Sequence, residues 1–458
     1  MGFDGVVPAR RHASVDVSHI LSCSSPAVDE DHHEQVTSPR HSRSKSLTIG
    51  QKLGFRMRKS SLKQQGSGDS ETTQSSKDVF QAIKSLEVVD PEVVGPDVGI
   101  VNEGNTCFLG ALLQCLLATP GLVRGLEEKD VRAGDGEHMV VLEALNMVVQ
   151  GLYTTSADAG SVKITPLIDA LKRIPLAAEY LNNQQQDVQE VLMMILDVLD
   201  SELRDDSKES DGGGSGKISQ WNMEANSSVV SETFLGMMKS SVVCEKCEKC
   251  FTMDEPFLEL SLSIAPGPSS KGLLSWLGFN SLSLGDSLFE YTSGDVLEGD
   301  ELFSCAHCDC KTKATKQLAI HTLPRALILH LKRFKYTSKL TTEKIDKLVT
   351  FPLKGLDLRH HVSKESQHTP EECIYDLYAV AEHKGNLTTG HYTALVLKKG
   401  DDKMHWVQCN DEVIKPVSDQ AVVSPNAYLL FYIRRTFADT SAAAKAYADL
   451  NKLERIGQ

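Results

Sequence analysis

The chain is 458 residues long, 41% hydrophobic and 24% charged, with a formal net charge of −14; that balance suits a globular chain with a sizeable core and room for two or three domains. No apolar run reaches the roughly 18 residues of a membrane helix, MGFDGVVPARR lacks the apolar stretch of a secretory leader, and Val6 stands where the myristoylation pattern begun by Gly2 wants Ser or Thr. Transmembrane and secreted classes are disfavoured, and a cytoplasmic or nuclear protein is expected.

Residues 1–94 hold 12 Lys and Arg against 12 Asp and Glu, so the whole negative excess lies in residues 95–458. An acidic body repels nucleic-acid backbones, so no nucleic-acid partner is expected. The first 94 residues are rich in Ser, Gln, Gly and charge and poor in aromatics, the composition of a disordered segment. Within it, residues 40–63 carry eight Lys or Arg and no acid. Arg stands three positions before Ser14, Ser46 and Ser61, a pattern that suits kinases, and phosphate there would reverse the local charge.

From Val98 the sequence becomes globular. CFLGALLQCLLA (107–118) reads as a buried helix ended by Thr119-Pro120, and QQDVQEVLMMILDVLDSEL (185–203) as a second helix with apolar residues at helical spacing. DDSKESDGGGSGK (205–217) is a flexible link. Strand-like segments follow at 257–264, 325–333, 375–381, 391–397 and 427–433, rich in β-branched and aromatic residues. Residues 266–281 read as an inserted loop, and the Ala-rich 441–454 as a terminal helix. Helices first and strands later, without a βαβ rhythm, predict an α+β fold.

Eleven cysteines, an odd number, and no export signal argue against a disulfide framework. Cys244-x2-Cys247 and Cys305-x2-Cys308 are separated by 57 residues. Two such knuckles supply four thiolates, enough to close a tetrahedral Zn²⁺ site with no open position for water, which makes it structural. Cys250 and Cys310 can each replace a neighbour as ligand.

Cys107 has a different setting. GIVNEGNTC (99–107) brings glycines and asparagines up to a thiol at the start of an apolar helix. Free amides and the helix dipole there favour the thiolate, and Asn102 and Asn105 offer amides for an oxyanion. Far along the chain, His383 and His391 lie in a Gly-rich approach to a strand, and WVQCND (406–411) follows. An imidazole can take the thiol proton and return it to a leaving amine. Asn410 or Asp411 can orient that imidazole, in the chain order of papain-like proteases.

These segments resemble the ubiquitin-specific proteases. GIVNEGNTCFLGALLQCL resembles their cysteine box, QQQDVQEVLMMILDVL (184–199) their Gln-Gln-Asp box, and HKGNLTTGHYTALV with WVQCNDEVIKPV their histidine box; LPRALILHLKRFKY (323–336) and AYLLFY (427–432) also match. The resemblance implies a papain-like α+β fold over 95–434: a helical thumb (about 98–225), zinc-bearing β fingers (about 226–325) and a β palm (about 326–434), with a tail at 435–458. It implies a thiol deubiquitinase that cleaves after the C-terminal glycine of ubiquitin through a thioester. Cys107 then matches the nucleophile, His391 the general base and acid, Asn410 its orienting residue, Asp411 the adjacent acid that can share this role, and Asn102 the oxyanion amide. Gln186, Asp187 and Glu190 line the channel for ubiquitin's arginine-rich tail. Cys244, Cys247, Cys305 and Cys308 are favoured as zinc ligands. Ubiquitin and ubiquitinated proteins are the implied partners, and an activating partner protein is left open. Gly110, Ala111, Val191 and Cys409 depart from the family pattern without removing a catalytic atom. The alternatives are a catalytically weak ubiquitin-binding scaffold and a protease of a ubiquitin-like modifier.

Overall fold

The structure is a computed structural model that describes residues 98–128, 140–155, 160–203, 228–264, 282–336, 342–386, 389–399 and 404–435. The expectations for residues 1–94, 205–217, 266–281 and 441–454 fall outside these residues.

The first part is helical. Cys107–Leu117 forms a helix in which all eleven residues are buried. A helix that is apolar all round must sit inside the molecule. Its one polar side chain, Gln114, donates to the Val98 carbonyl at 3.1 Å. Val140–Thr154 and Thr165–Lys172 pack on each other, share its core, and were not singled out in the sequence. The second expected helix spans Val188–Leu203 and buries Val191, Leu192, Ile195, Leu196 and Leu199 in an i, i+3, i+4 stripe. It starts later than residue 185 because Asp187 caps it. The Asp187 carbonyl accepts from Val191 N–H at 3.1 Å, and its Oδ1 accepts from Gln189 N–H at 2.9 Å.

The large sheet runs Val413–Val417, Met404–Asn410, Gly390–Lys399, Ile374–Gly385, Ala427–Arg434, Ala326–Lys332, antiparallel throughout, with Glu259–Ser263 parallel at the far edge. Its central strands, Ile374–Gly385, Ala427–Arg434 and Ala326–Lys332, read as near-continuous apolar runs because both faces are covered. Ile328, Val396 and Phe431 join the core under the helices. Leu327, Leu329, Leu395, Leu430 and Tyr432 join a second core with Leu284 and Leu288 of helix Leu284–Thr292. Side chains alternate across a strand, so neighbours in sequence feed different cores.

A second, four-stranded antiparallel sheet stands apart from this palm, in the order Cys250–Phe257, Gly236–Cys244, Ala314–Thr322, Asp295–Leu297. The segment expected as one strand at 257–264 is thus shared. Cys250–Phe257 ends in this sheet, and Glu259–Ser263 crosses to the edge of the palm. The result is a papain-like α+β fold with a helical thumb, a β palm and β fingers. Among the described residues no helix is long and apolar enough to cross a membrane.

Candidate active site

Three distant segments meet at the N-terminus of the Cys107–Leu117 helix. The first is the approach to Cys107. Val162 N–H donates to Gly99 O and Val101 N–H to Val162 O, while Ile100 N–H donates to Asp411 O at 2.9 Å. Gly99 lies so close to the strand turn that a Cβ there would stand 2.3 Å from the backbone of Glu412, a contact only glycine permits. Gly104 (φ 93°) and Asn105 (φ 55°) then reverse the chain in the left-handed region, where Gly and Asn are the least strained residues. Asn102 Oδ1 accepts from Thr106 N–H at 3.0 Å.

The second segment is the turn joining Met404–Asn410 to Val413–Val417. Asn410 pairs with Val413, and Asp411 (φ 49°) sits at the tip. The third is the start of Gly390–Lys399. There His391 Nε2 and Asn410 Oδ1 are 2.7 Å apart, and Asp411 Oδ2 lies 3.8 Å from the same nitrogen. With Nε2–H donated to the amide oxygen, the other ring nitrogen is left as a lone-pair base. Asn102 Nδ2 donates to Asp411 Oδ2 at 3.2 Å. Cys107, His391, Asn410, Asp411 and Asn102 are thus gathered in one place.

Cys107 is buried, and its sulfur lies against the palm strand, where the Tyr392 amide donates to it. Burial pushes the thiol pKa up. The amides of Tyr392, Phe108 and Cys107 pull the other way, and the negative charge of Asp411 adds to the rise. The dipole argument favours a thiolate, but burial outweighs it here. A base beside the sulfur is the group that can take its proton.

The segment 183–187 ties the site together. Asn105 Nδ2 donates to Asn183 O at 2.8 Å, and Gly390 N–H donates to Gln185 Oε1 at 3.1 Å. One short stretch therefore holds the residue two before Cys107 and the residue one before His391. Sequence reading named Gln186, whose Nε2 instead bonds Asn182 Oδ1 locally at 3.0 Å. Asp187 turns inward, with Oδ2 accepting from Tyr428 O–H at 2.7 Å, and burial raises its pKa. Glu190 is exposed one turn on. Beneath lies a buried histidine. The His383 ring packs on Tyr392 and Phe334 and is held near pKa 4 by burial. It fills the space a side chain at Gly390 would need, since a Cβ there would fall 2.2 Å from His383 Nε2. His383, the other candidate histidine, thus shapes the floor beneath Gly390. Gln185 lay next to the named residue in the same box; Glu103, which bonds the helix Thr165–Lys172, had no signal in its spacing.

The four cysteines form a separate site in the fingers. Cys244, Cys247, Cys305 and Cys308 have all their sulfur atoms within 4.8 Å of one another. Cys247 Sγ and Cys305 Sγ are 3.7 Å apart, and Cys244 Sγ and Cys308 Sγ 4.0 Å. A tetrahedron built on metal–sulfur bonds of 2.3 Å has edges of about 3.8 Å, so the four sulfurs fit a metal ion. Each knuckle turns on a left-handed residue just after its second cysteine, Glu248 (φ 58°) and Asp309 (φ 49°). Thr312 Oγ1 lies 3.1 Å from Cys244 Sγ, a contact the spacing did not announce. Cys310 is exposed beside Lys246 Nζ at 3.5 Å, outside the four.

A family model described as ubiquitin carboxyl-terminal hydrolase matches residues 98–432. The chain belongs to the ubiquitin carboxyl-terminal hydrolase family. It is 33% identical over 349 residues to ubiquitin carboxyl-terminal hydrolase 2 of Homo sapiens, covering 73% of this chain and 54% of that one. Against the Gallus gallus protein of the same name it is 34% identical over 362 residues, covering 74% and 94%. Among solved structures, a chain of the SAGA Ubp8/Sgf11/Sus1/Sgf73 DUB module bound to ubiquitin aldehyde matches with a TM-score of 0.58 at 26% identity, covering 77% of this chain and 72% of that one. The match spans 54% to 58% of the length of the first curated relatives.

Proposed function

We propose that this chain is a thiol-dependent deubiquitinase that hydrolyses the bond after the C-terminal glycine of ubiquitin. One observation carries the proposal: the Cys107 sulfur accepts from the Tyr392 amide of strand Gly390–Lys399, next to His391, and His391 is bound to Asn410 at 2.7 Å. Membership of the family and the ubiquitin aldehyde in the Ubp8 module support it.

In this reading His391 takes the Cys107 proton as sulfur attacks the glycine carbonyl, then gives it to the departing amine. A thiol whose pKa is raised makes the base necessary for the attack itself. Asn410 fixes the ring, and Asp411 shares that role from 3.8 Å. Asn102 Nδ2 and the amides at the helix start donate to the oxyanion. Water then resolves the thioester, activated by the same imidazole. Gln186, Asp187 and Glu190 line the tail channel. Asp187 works there mainly as the cap and Tyr428 partner that shapes the wall, and Glu190 is the carboxylate placed for an arginine.

We assign Zn²⁺ to Cys244, Cys247, Cys305 and Cys308. Bound there, it supplies folding energy to the fingers and no chemistry to the cleft, since four thiolates leave no open position. Thumb, fingers and palm are taken as about 98–225, 226–325 and 326–434, with the edge strand Glu259–Ser263 contributed to the palm. Ubiquitinated proteins are the substrates, a protein activator is compatible with the reading, and the cytoplasm or nucleus is the compartment.

The test is hydrolysis of a ubiquitin–fluorophore conjugate by the full chain. Wild type turns the conjugate over and Cys107→Ala does not. A ubiquitin-vinyl probe labels Cys107 in wild type. An unlabelled Cys107 together with no turnover would leave a ubiquitin-binding scaffold as the better reading.

A further inference from the structure

The helix Thr165–Lys172 begins with Ile164 at its cap, and Ile164 has no side-chain oxygen to offer. Its own amide is buried with the residue. A buried N–H without an acceptor is costly, so an acceptor is expected. It comes from elsewhere in the chain. Glu103 Oε2 accepts from Ile164 N–H at 3.1 Å, and Glu103 Oε1 accepts from the Thr165 hydroxyl. A carboxylate at the positive end of a helix is also favoured by the helix dipole.

Glu103 lies between Asn102 and the reversal at Gly104 and Asn105. Those two residues are exposed, and a Cβ at Gly104 would touch nothing within 4 Å. Packing therefore does not hold the loop at this point. Its hydrogen bonds do. Glu103 N–H donates to Thr106 Oγ1 at 2.9 Å, and Thr106 N–H and its hydroxyl both donate to Asn102 Oδ1 at 3.0 and 3.3 Å. Fixing the oxygen end of the Asn102 amide aims its Nδ2 end. The Glu103 carboxylate pins this ring of bonds to the helix Thr165–Lys172, on one side of the Asn102 amide whose Nδ2 also donates to Asp411 Oδ2 at 3.2 Å on the other.

We propose that Glu103 is a positioning residue for the hydrolysis: by capping Thr165–Lys172 from within the Cys107 loop, it holds the Asn102 amide where the oxyanion develops. The proposal rests on the deubiquitinase reading above. It concerns a residue that touches neither thiol nor substrate.

The experiment measures kcat and KM of the full chain on a ubiquitin–fluorophore conjugate. It also follows the iodoacetamide alkylation rate of the Cys107 peptide by mass spectrometry. Alkylation reads the thiol but needs no oxyanion donor. Glu103→Ala is expected to lower kcat about ten-fold or more, a part of the 10²–10³ that one oxyanion donor provides, with KM and alkylation within about two-fold of wild type. In an Asn102→Ala background the same change should cost less than about two-fold, since linked groups are not additive. Thr165→Val removes one carboxylate bond without touching the loop, and should lower kcat by a smaller factor. Wild-type kcat in Glu103→Ala, or a loss that multiplies in full on Asn102→Ala, overturns the proposal. If Glu103→Ala fails to fold, unchanged kcat in Thr165→Val overturns it alone. A wild type with no turnover refutes the deubiquitinase reading itself, an outcome distinct from these.

Discussion

The cleft and the fingers solve the same problem, bringing reactive sulfur and its neighbours together, by opposite routes. Each knuckle of the four-cysteine site is made within about five residues. Glu248 N–H closes its turn on Cys244 O at 2.8 Å, and the register places Cys305 opposite Cys310 across one hairpin. Only the meeting of the two knuckles is long-range; Glu245 N–H donates to Lys313 O across it at 3.0 Å, and the four sulfurs fit a metal ion there. The cleft has no such clip. Cys107, His391 and Asn410 come from three segments, and their alignment depends on backbone contacts such as Ile100 N–H to Asp411 O and Gly390 N–H to Gln185 Oε1. A site of local knuckles closed by an ion would be robust while that ion stays and fail when it leaves. A site of remote segments degrades by steps as single contacts are lost.

The largest effect is therefore expected in the fingers. Structural zinc contributes about 10–16 kcal/mol of apparent binding energy in small zinc-binding peptides, the scale expected for the proposed Cys244, Cys247, Cys305 and Cys308 site. Cys305→Ser or prolonged chelation should release one zinc per chain and open strand Cys250–Phe257 to protease. Metal analysis and peptide mapping read both. A chain that holds no zinc yet resists protease would break the contrast.

In the cleft the losses should be graded. Asn410→Ala removes the 2.7 Å partner of His391 Nε2, but Asp411 Oδ2 remains 3.8 Å from it. Turnover should fall roughly 10–100-fold, short of the full 10²–10⁴ supplied by general acid–base catalysis. Adding Asp411→Asn, which tolerates the left-handed turn, should deepen the loss. If Asn410→Ala alone already abolishes turnover, the two acceptors do not share the ring.

This contrast also explains what could be read from the sequence. The Cys107 helix and the palm strands were legible because apolar runs and alternation are local. Cys244, Cys247, Cys305 and Cys308 were legible because knuckle spacing is local too. Asp187 was visible as a carboxylate in a recognisable box, but not as a cap bound to Tyr428, a partner 241 residues away. Gln185 and Glu103 were invisible as clasps because their partners, Gly390 and Ile164, are backbone amides that carry no side-chain signal. Strand Glu259–Ser263 was detected, but its parallel seat beside Ala326–Lys332 is a property of the sheet and not of its residues.

A buried carboxylate on that edge strand gives a pH test. Glu259 bonds Gln189 of the thumb helix at 2.9 Å and has His330 Nδ1 at 4.0 Å, with Ser261, Lys332 and Asp187 around it. Burial raises its pKa from 4.5 to about 7. The unfolded carboxyl ionises first, so the fold binds more protons between pH 4.5 and 7, and this contribution to stability is lost as pH rises through that window. Glu259→Gln stays neutral throughout. Its melting temperature relative to wild type should climb across the window and level off above it, worth at most about 3 kcal/mol. A flat difference would mean that Glu259 is ionised in the fold at all these pH values.

The smallest expected change sits on the Cys107 helix, at one of the departures from the family pattern. A Cβ at Gly110 would lie 3.5 Å from Ile100 Cγ2, an ordinary contact. Nothing therefore requires glycine there, and Gly110→Ala should gain about 0.5–1 kcal/mol from the helix interior. That is roughly 2–4 °C in melting temperature, with turnover unchanged. The neighbour makes the result informative. Ile100 is the residue whose amide grips Asp411 O at 2.9 Å, so if the methyl group pushed Ile100 aside, the register between the thiol loop and the Asn410 turn would shift with it. A variant that melts higher but turns over more slowly would locate the tolerance of the cleft in that single contact. A variant that gains stability and keeps its rate shows that the contact has slack.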